Sequence, residues 1–159
     1  MTMSESFLPE FDEEMAGTRK FLEIVPDAKL GWKPHEKSMT LGQLAWHVSD
    51  LPKWCSDTLR QDSMTVNSDD FQKQVAKRQG KGAKDILAQF DDHVKDARAR
   101  LAAASDAELA RQWKMEWGGR TIIDMPRAQV LRKWVLNHII HHRAQMGRQA
   151  CRGRHLTRQ

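Results

Sequence analysis

The stretch Asn137-His138-Ile139-Ile140-His141-His142-Arg143 constrains this chain more than any other, because it sets histidines four residues apart within what otherwise reads as the apolar stripe of a helix. Residues four apart point the same way. With about 100° per residue and His138 at zero, Leu131, Trp134, Val135, His142, Gln145 and Met146 fall within about 80° of it, while Arg132, Lys133, Asn137 and Arg143 fall outside. The same arithmetic around His47, in Leu44-Ala45-Trp46-His47-Val48, brings Leu44, Leu51, Trp54 and Cys55 onto its face. Three imidazoles thus stand where core leucines are expected. A buried imidazole without a partner loses hydrogen bonds and resists protonation, so the fold must supply each with one.

A divalent cation is one such partner. Neutral imidazole is its commonest protein ligand, and His138 and His142 from one helix with His47 from another would leave a coordination position open. The plainer reading stands beside it: a histidine on an apolar face is most often bonded to a carbonyl, and a pair at helical spacing can arise by chance in a chain with seven. His47 on a second apolar stripe brings the two readings level. His141 lies about 60° to the other side of His138 and reads as a bystander. His35, His93 and His155 read as loop, exposed-helix and tail residues.

Periodicity and breakers predict four helices and an all-α class. The first runs from about Phe7 to Val25 and stops at Pro26; the second opens on the Thr40-Leu41-Gly42-Gln43 capping box and reaches about Arg60, with a bend near Pro52. Polar residues fill 61–82. The third helix covers about Ala83 to Ala104, and in 105–125 the alternation around Gly118-Gly119 suggests a small hairpin or an ordered loop. Pro126 suits the first turn of a fourth helix continuing to about Gly147 or beyond. The roughly twenty-residue link after helix two could span about 65 Å, enough for a long crossover that lets helices two and three run parallel in an up-down-down-up bundle. His47, about 10 Å from the start of helix two, and His138 and His142, about 8 to 17 Å from the end of helix four, then come to similar heights.

Composition excludes several classes. At 159 residues the chain fits one domain, and two cysteines, Cys55 and Cys151, are too few for a disulfide framework. No signal-like leader and no run of about 18 apolar residues occurs, so a cytoplasmic location without membrane attachment is expected. Four of the five net positive charges come from Arg148, Arg152, Arg154 and Arg158. The body is nearly neutral, which argues against a dedicated nucleic-acid surface. Residues 1–147 are therefore expected to form the bundle and 148–159 a basic, poorly ordered tail.

Three pieces resemble one family: the Trp32-Lys33-Pro34 connector, Leu41-Gly42-Gln43-Leu44-Ala45-Trp46-His47 followed by Asp50, and Asn137 through Gly147 with its histidines. Together they are similar to the DinB or YfiT-like superfamily of metal-dependent bacterial proteins. The resemblance implies a four-helix bundle, often a homodimer, with His47, His138 and His142 as metal ligands and zinc or nickel as the cation. Some members add a low-molecular-weight thiol to a small electrophile or isomerise maleylpyruvate. It therefore implies a mononuclear metal-dependent enzyme, a thiol S-transferase or a hydrolase, acting on a small-molecule substrate. The alternative is a noncatalytic stress-associated binding module with a structural metal. Asp50, about 60° from His47, is a candidate for orienting a ligand or serving as base, or is simply a carboxylate on a solvated flank. Arg143 could hold an anion or form an ion pair, and Trp46, Trp54, Trp113 and Trp117 could line a pocket or fill the core.

Overall fold

In the computed structural model, residues 1–67, 69, 73 and 81–155 are described, with 150–155 described by backbone alone. Helix α1 (Met3–Glu23) opens on a reciprocal cap: Thr2 Oγ1 accepts from the Glu5 N–H, and the Glu5 carboxylate accepts from the Thr2 N–H. Its spacing buries Phe11, Met15, Thr18 and Leu22 on one side. After a 3₁₀ turn at Asp27–Lys29, helix α2 (Leu41–Arg60) begins on the same device, Thr40 with Gln43. Gly42 is packed against the Leu30 carbonyl so closely that a Cβ would lie 2.9 Å from its oxygen.

Ion pairs and hydrogen bonds give the helix directions. Arg19 meets Asp91 and Arg98 meets Asp12, so α3 (Ala83–Ala103) runs antiparallel to α1. Gln89 reaches Ser49 and Arg60 reaches Asp96, so α2 and α3 run parallel. The last helical rod comprises α5 (Arg127–Val130), a π-helical stretch (Leu131–Leu136) and α6 (Asn137–His155), preceded by the short α4 (Asp106–Ala110). Arg143 pairs with Glu14 and Gly147 packs on Phe21, which sets this rod parallel to α1. Helix α6 continues into the arginine-rich segment, and Gln149 is buried.

The all-α four-helix bundle expected from the sequence is corrected by a three-stranded mixed sheet, in the order β1 (Ser63–Val66), β2 (Gln112–Trp117), β3 (Arg120–Pro126). Strands β2 and β3 form a hairpin whose two turn residues, Gly118 and Gly119, both have positive φ. Such a turn matches the twist of the flanking strands. Strand β1 joins β2 in parallel, Ser63 opposite Lys114 and Val66 opposite Trp117. It lies in the stretch read as a polar link: Ser63-Met64-Thr65-Val66 alternates polar and apolar, but four residues are too few for the pattern to stand out, and their partner is some fifty residues away.

Side chains on a strand alternate, so Trp113 and Met115 face one way with Ile123 opposite Met115, and this face packs on Val130 as a second small core. Arg127, 3% exposed, fastens that core to the helices by donating to the Gln61 carbonyl and to Asp62. The main core lies among α1, α2, α3 and α6, around Phe11, Leu44, Phe90 and Ile139. Among the described residues, no helix is long and apolar enough to cross a membrane.

Candidate metal centre

His47 on α2 and His138 and His142 on α6 come together where the two helices face each other. One ring nitrogen from each lies within 4.8 Å of the others. The Nε2 atoms of His47 and His138 are 3.2 Å apart, and the His47 ring centroid lies 5.1 Å from that of His138 and 4.6 Å from that of His142. All three are half-buried, rather than sealed in the core. The buried stripe of the last rod runs through Leu131, Val135, Ile139 and Met146 and centres near Ile139, which leaves His138 on its flank. The π-helical stretch is the local irregularity just before the histidines: the Asn137 N–H bonds to the Arg132 carbonyl, five residues back.

In His142 and His138 the second ring nitrogen is engaged by a neighbouring acceptor. Gln145 Oε1 accepts from His142 Nδ1 at 2.9 Å, and the Trp134 carbonyl accepts a hydrogen bond from His138. Partners of this kind fix the tautomer and leave the other nitrogen with its lone pair directed at the shared centre. Burial pushes both imidazoles below their ordinary pKa, His138 being lowered further by neighbouring His142, with the Trp134 bond acting against the shift. Two nitrogens bound to one tetrahedral cation at about 2.0–2.1 Å are about 3.3 Å apart, close to the separation of the His47 and His138 nitrogens. The donor set, three neutral nitrogens, could hold a single metal ion. His141 is exposed and outside this group.

His47 also lines a cavity of about 540 Å³ between α2, the sheet and the π-helical stretch. Five of the six tryptophans wall it: Trp46, Trp54, Trp113, Trp117 and Trp134. The four singled out in the sequence are all there, and Trp134 stands beside His138, ring centroids 6.3 Å apart. Asp50 lines the same cavity, one helical turn from His47, and accepts a hydrogen bond from Gln89 Nε2 at 2.9 Å. Gln89 and His93 were not readable as site residues. His93 is half-buried, not exposed, donating from Nδ1 to the Ser49 carbonyl. Nothing in the periodicity of a helix with a charged outer face marks either residue. Arg143 takes no part: it turns to α1, where its guanidinium meets Glu14 at 2.6 Å.

Residues 10–146 match the family model of the DinB superfamily. The chain belongs to this superfamily. Among solved structures, a DinB-like protein from Bacillus cereus ATCC 10987 superimposes with a TM-score of 0.69 at 25% identity, covering 94% of this chain and 91% of that one. A DinB-like protein from Bacillus subtilis gives 0.67 at 17% identity, with 92% and 90% covered, and shares the fold. No curated protein matches the sequence. Membership in the DinB superfamily and a histidine group able to hold one ion are the two facts on which a function must rest.

Proposed function

We propose that this DinB protein is a mononuclear metal-dependent enzyme that joins a low-molecular-weight thiol to a small electrophile. The observation that supports it is the position of His47, which belongs to the three-histidine group and also to the wall of the tryptophan cavity. A cation held there by three neutral nitrogens keeps its full charge and an open position, and such a cation stabilises a thiolate at neutral pH.

The chain's own residues do the rest. Gln145 and the Trp134 carbonyl orient His142 and His138. Asp50, held by Gln89, would accept the thiol proton as the thiolate forms and return it to the electrophile when sulfur adds across its double bond or opens its strained ring, and the tryptophan walls shield the electrophile from water. A sealed structural ion would need a fourth protein ligand, and among the described residues the group contains only the three histidines.

The test is turnover. Zinc- or nickel-loaded protein is incubated with a panel of thiols and electrophiles beside a His142→Ala control, and thioether product is quantified. Product above that control, lost in Asp50→Asn, is expected. The absence of product above the control across the panel would sink the transferase and leave a binding role.

A further inference from the structure

The geometry points to an aromatic carboxylate, one or two fused rings bearing an anionic group, as the ligand class of the tryptophan cavity. This inference deepens the transferase reading by naming what the electrophile looks like, and it rests on that reading only for the cavity being a substrate site.

The cavity is two-sided. Its sheet wall is apolar, with Met115 and Ile123 between Trp113 and Trp117. Indole faces and edges favour flat aromatic partners over aliphatic ones of the same area, and methionine sulfur sits well against ring edges. The volume suits a ligand of more than one ring; a pocket of a few hundred Å³ buries most of such a molecule.

Two further observations set the polar end. Trp113 is 3% exposed, and its indole Nε1–H has no acceptor among the described residues. An indole N–H only donates, and a buried donor of this kind is normally satisfied; this one is shielded from solvent, so a ligand oxygen becomes its partner when a wall side chain shifts as the ligand seats. Lys81 lines the same cavity with its ammonium 5.8 Å from the centroid of the Trp46 ring, and among the described residues no carboxylate pairs with it. Lys53, by contrast, is neutralised by Asp57. An acceptor that also carries negative charge satisfies both the indole and the lysine. A neutral arene satisfies neither.

Titration calorimetry tests this with 2-naphthoate, neutral 2-naphthalenemethanol and aliphatic cyclohexanecarboxylate, each against zinc-loaded and chelator-treated protein. Naphthoate is expected to bind at least tenfold tighter than either comparison compound. Trp113→Phe, which keeps the ring and removes the donor, should weaken naphthoate about tenfold and the alcohol much less. Lys81 is exposed, so Lys81→Gln should leave the fold intact and weaken naphthoate about threefold while flattening its salt dependence. The inference is overturned if naphthoate binds no tighter than cyclohexanecarboxylate, or if Lys81→Gln and Trp113→Phe both leave its affinity unchanged; should Trp113→Phe not fold, Lys81→Gln and the ligand comparison decide alone. Naphthoate binding to a protein that takes up no zinc would uphold the ligand class and defeat the metal reading, whereas zinc uptake without naphthoate selectivity would do the reverse.

Discussion

His47 and His138, ninety-one residues apart in the chain, present their Nε2 atoms to each other at 3.2 Å. Two imidazole nitrogens at that distance must share a proton or a cation, because two lone pairs facing each other repel. Helix α2 brings one and the helix that follows the sheet brings the other, so the contact reports the packing of the whole bundle.

If a cation is the shared partner, its loss should follow the group and not the histidine count. His47→Ala, His138→Ala and His142→Ala should each strongly reduce zinc content after dialysis, and His141→Ala should leave it near the wild-type level. Thermal stability should fall in parallel, since an ion that binds only the folded state adds its binding free energy to folding. Elemental analysis decides: equal loss from His141→Ala and His142→Ala would place the site on the wrong helix face, and full occupancy in His47→Ala would detach α2 from it.

Gln145 offers a subtler test, because it touches His142 through the nitrogen that faces away from the centre. Gln145→Leu keeps the volume and removes the acceptor. The imidazole is then free to take the other tautomer, and metal affinity should drop about 10- to 100-fold. A competition titration against a chromophoric chelator reads this directly, and an unchanged affinity would mean that the hydrogen bond does not orient the ring.

The metal-free protein should respond to acid in a defined direction. Burial lowers His138 and His142 beneath the usual imidazole value of 6.5, so below that value the unfolded chain takes up protons that the folded one resists. Stability is therefore complete above about pH 6.5, declines as pH falls through the window beneath it, and stops declining on their account once pH passes the lowered folded values. Melting curves of chelator-treated protein between about pH 8 and pH 5 should show this slope, shallower in His138→Gln. A melting temperature that rises on acidification would contradict the assignment.

Arg143 and Glu14 tie α6 to α1 at 2.6 Å, each side chain about one-fifth exposed. Arg143→Met strips the partner from a largely buried carboxylate. The cost should be about 2 kcal/mol, held below that of a fully buried pair by the remaining exposure. Zinc content should not change. Chemical denaturation measures the first and elemental analysis the second; a coupled loss of metal would show that this ion pair sets the height of the histidines.

What could be read from the chain beforehand was whatever has a local period or a local chemical signature. The Thr40–Gln43 cap is four residues long and forms as read, and the spacing of His138 and His142 is a property of one helix. Strand β1 escaped because Ser63-Met64-Thr65-Val66 gains its structure from β2, a non-local partner that no window contains. The cavity escaped for the same reason: its walls come from α2, α3, the sheet and the π-helical stretch, and Gln89 or His93 acquires meaning only beside Ser49 and Asp50. The core stripe was displaced toward Ile139, where uniform steps of about 100° had centred it on His138.

The hairpin carries the last prediction, because its turn fixes which faces of β2 and β3 wall the cavity. Gly118 and Gly119 have φ of 55° and 77°, and a Cβ on either would meet nothing within 4 Å. The cost of a side chain there is thus conformational and not a clash. Gly119→Val should destabilise by about 1–2 kcal/mol, since a β-branched residue strongly resists this left-handed region, while Gly119→Asn should cost much less because its short polar side chain tolerates it. The same order should appear in cavity ligand affinity, as a strained turn loosens the register that sets Met115 opposite Ile123. Thermal melts of the two variants against wild type check the first claim. If valine and asparagine proved equally costly, backbone conformation would not be what Gly119 supplies.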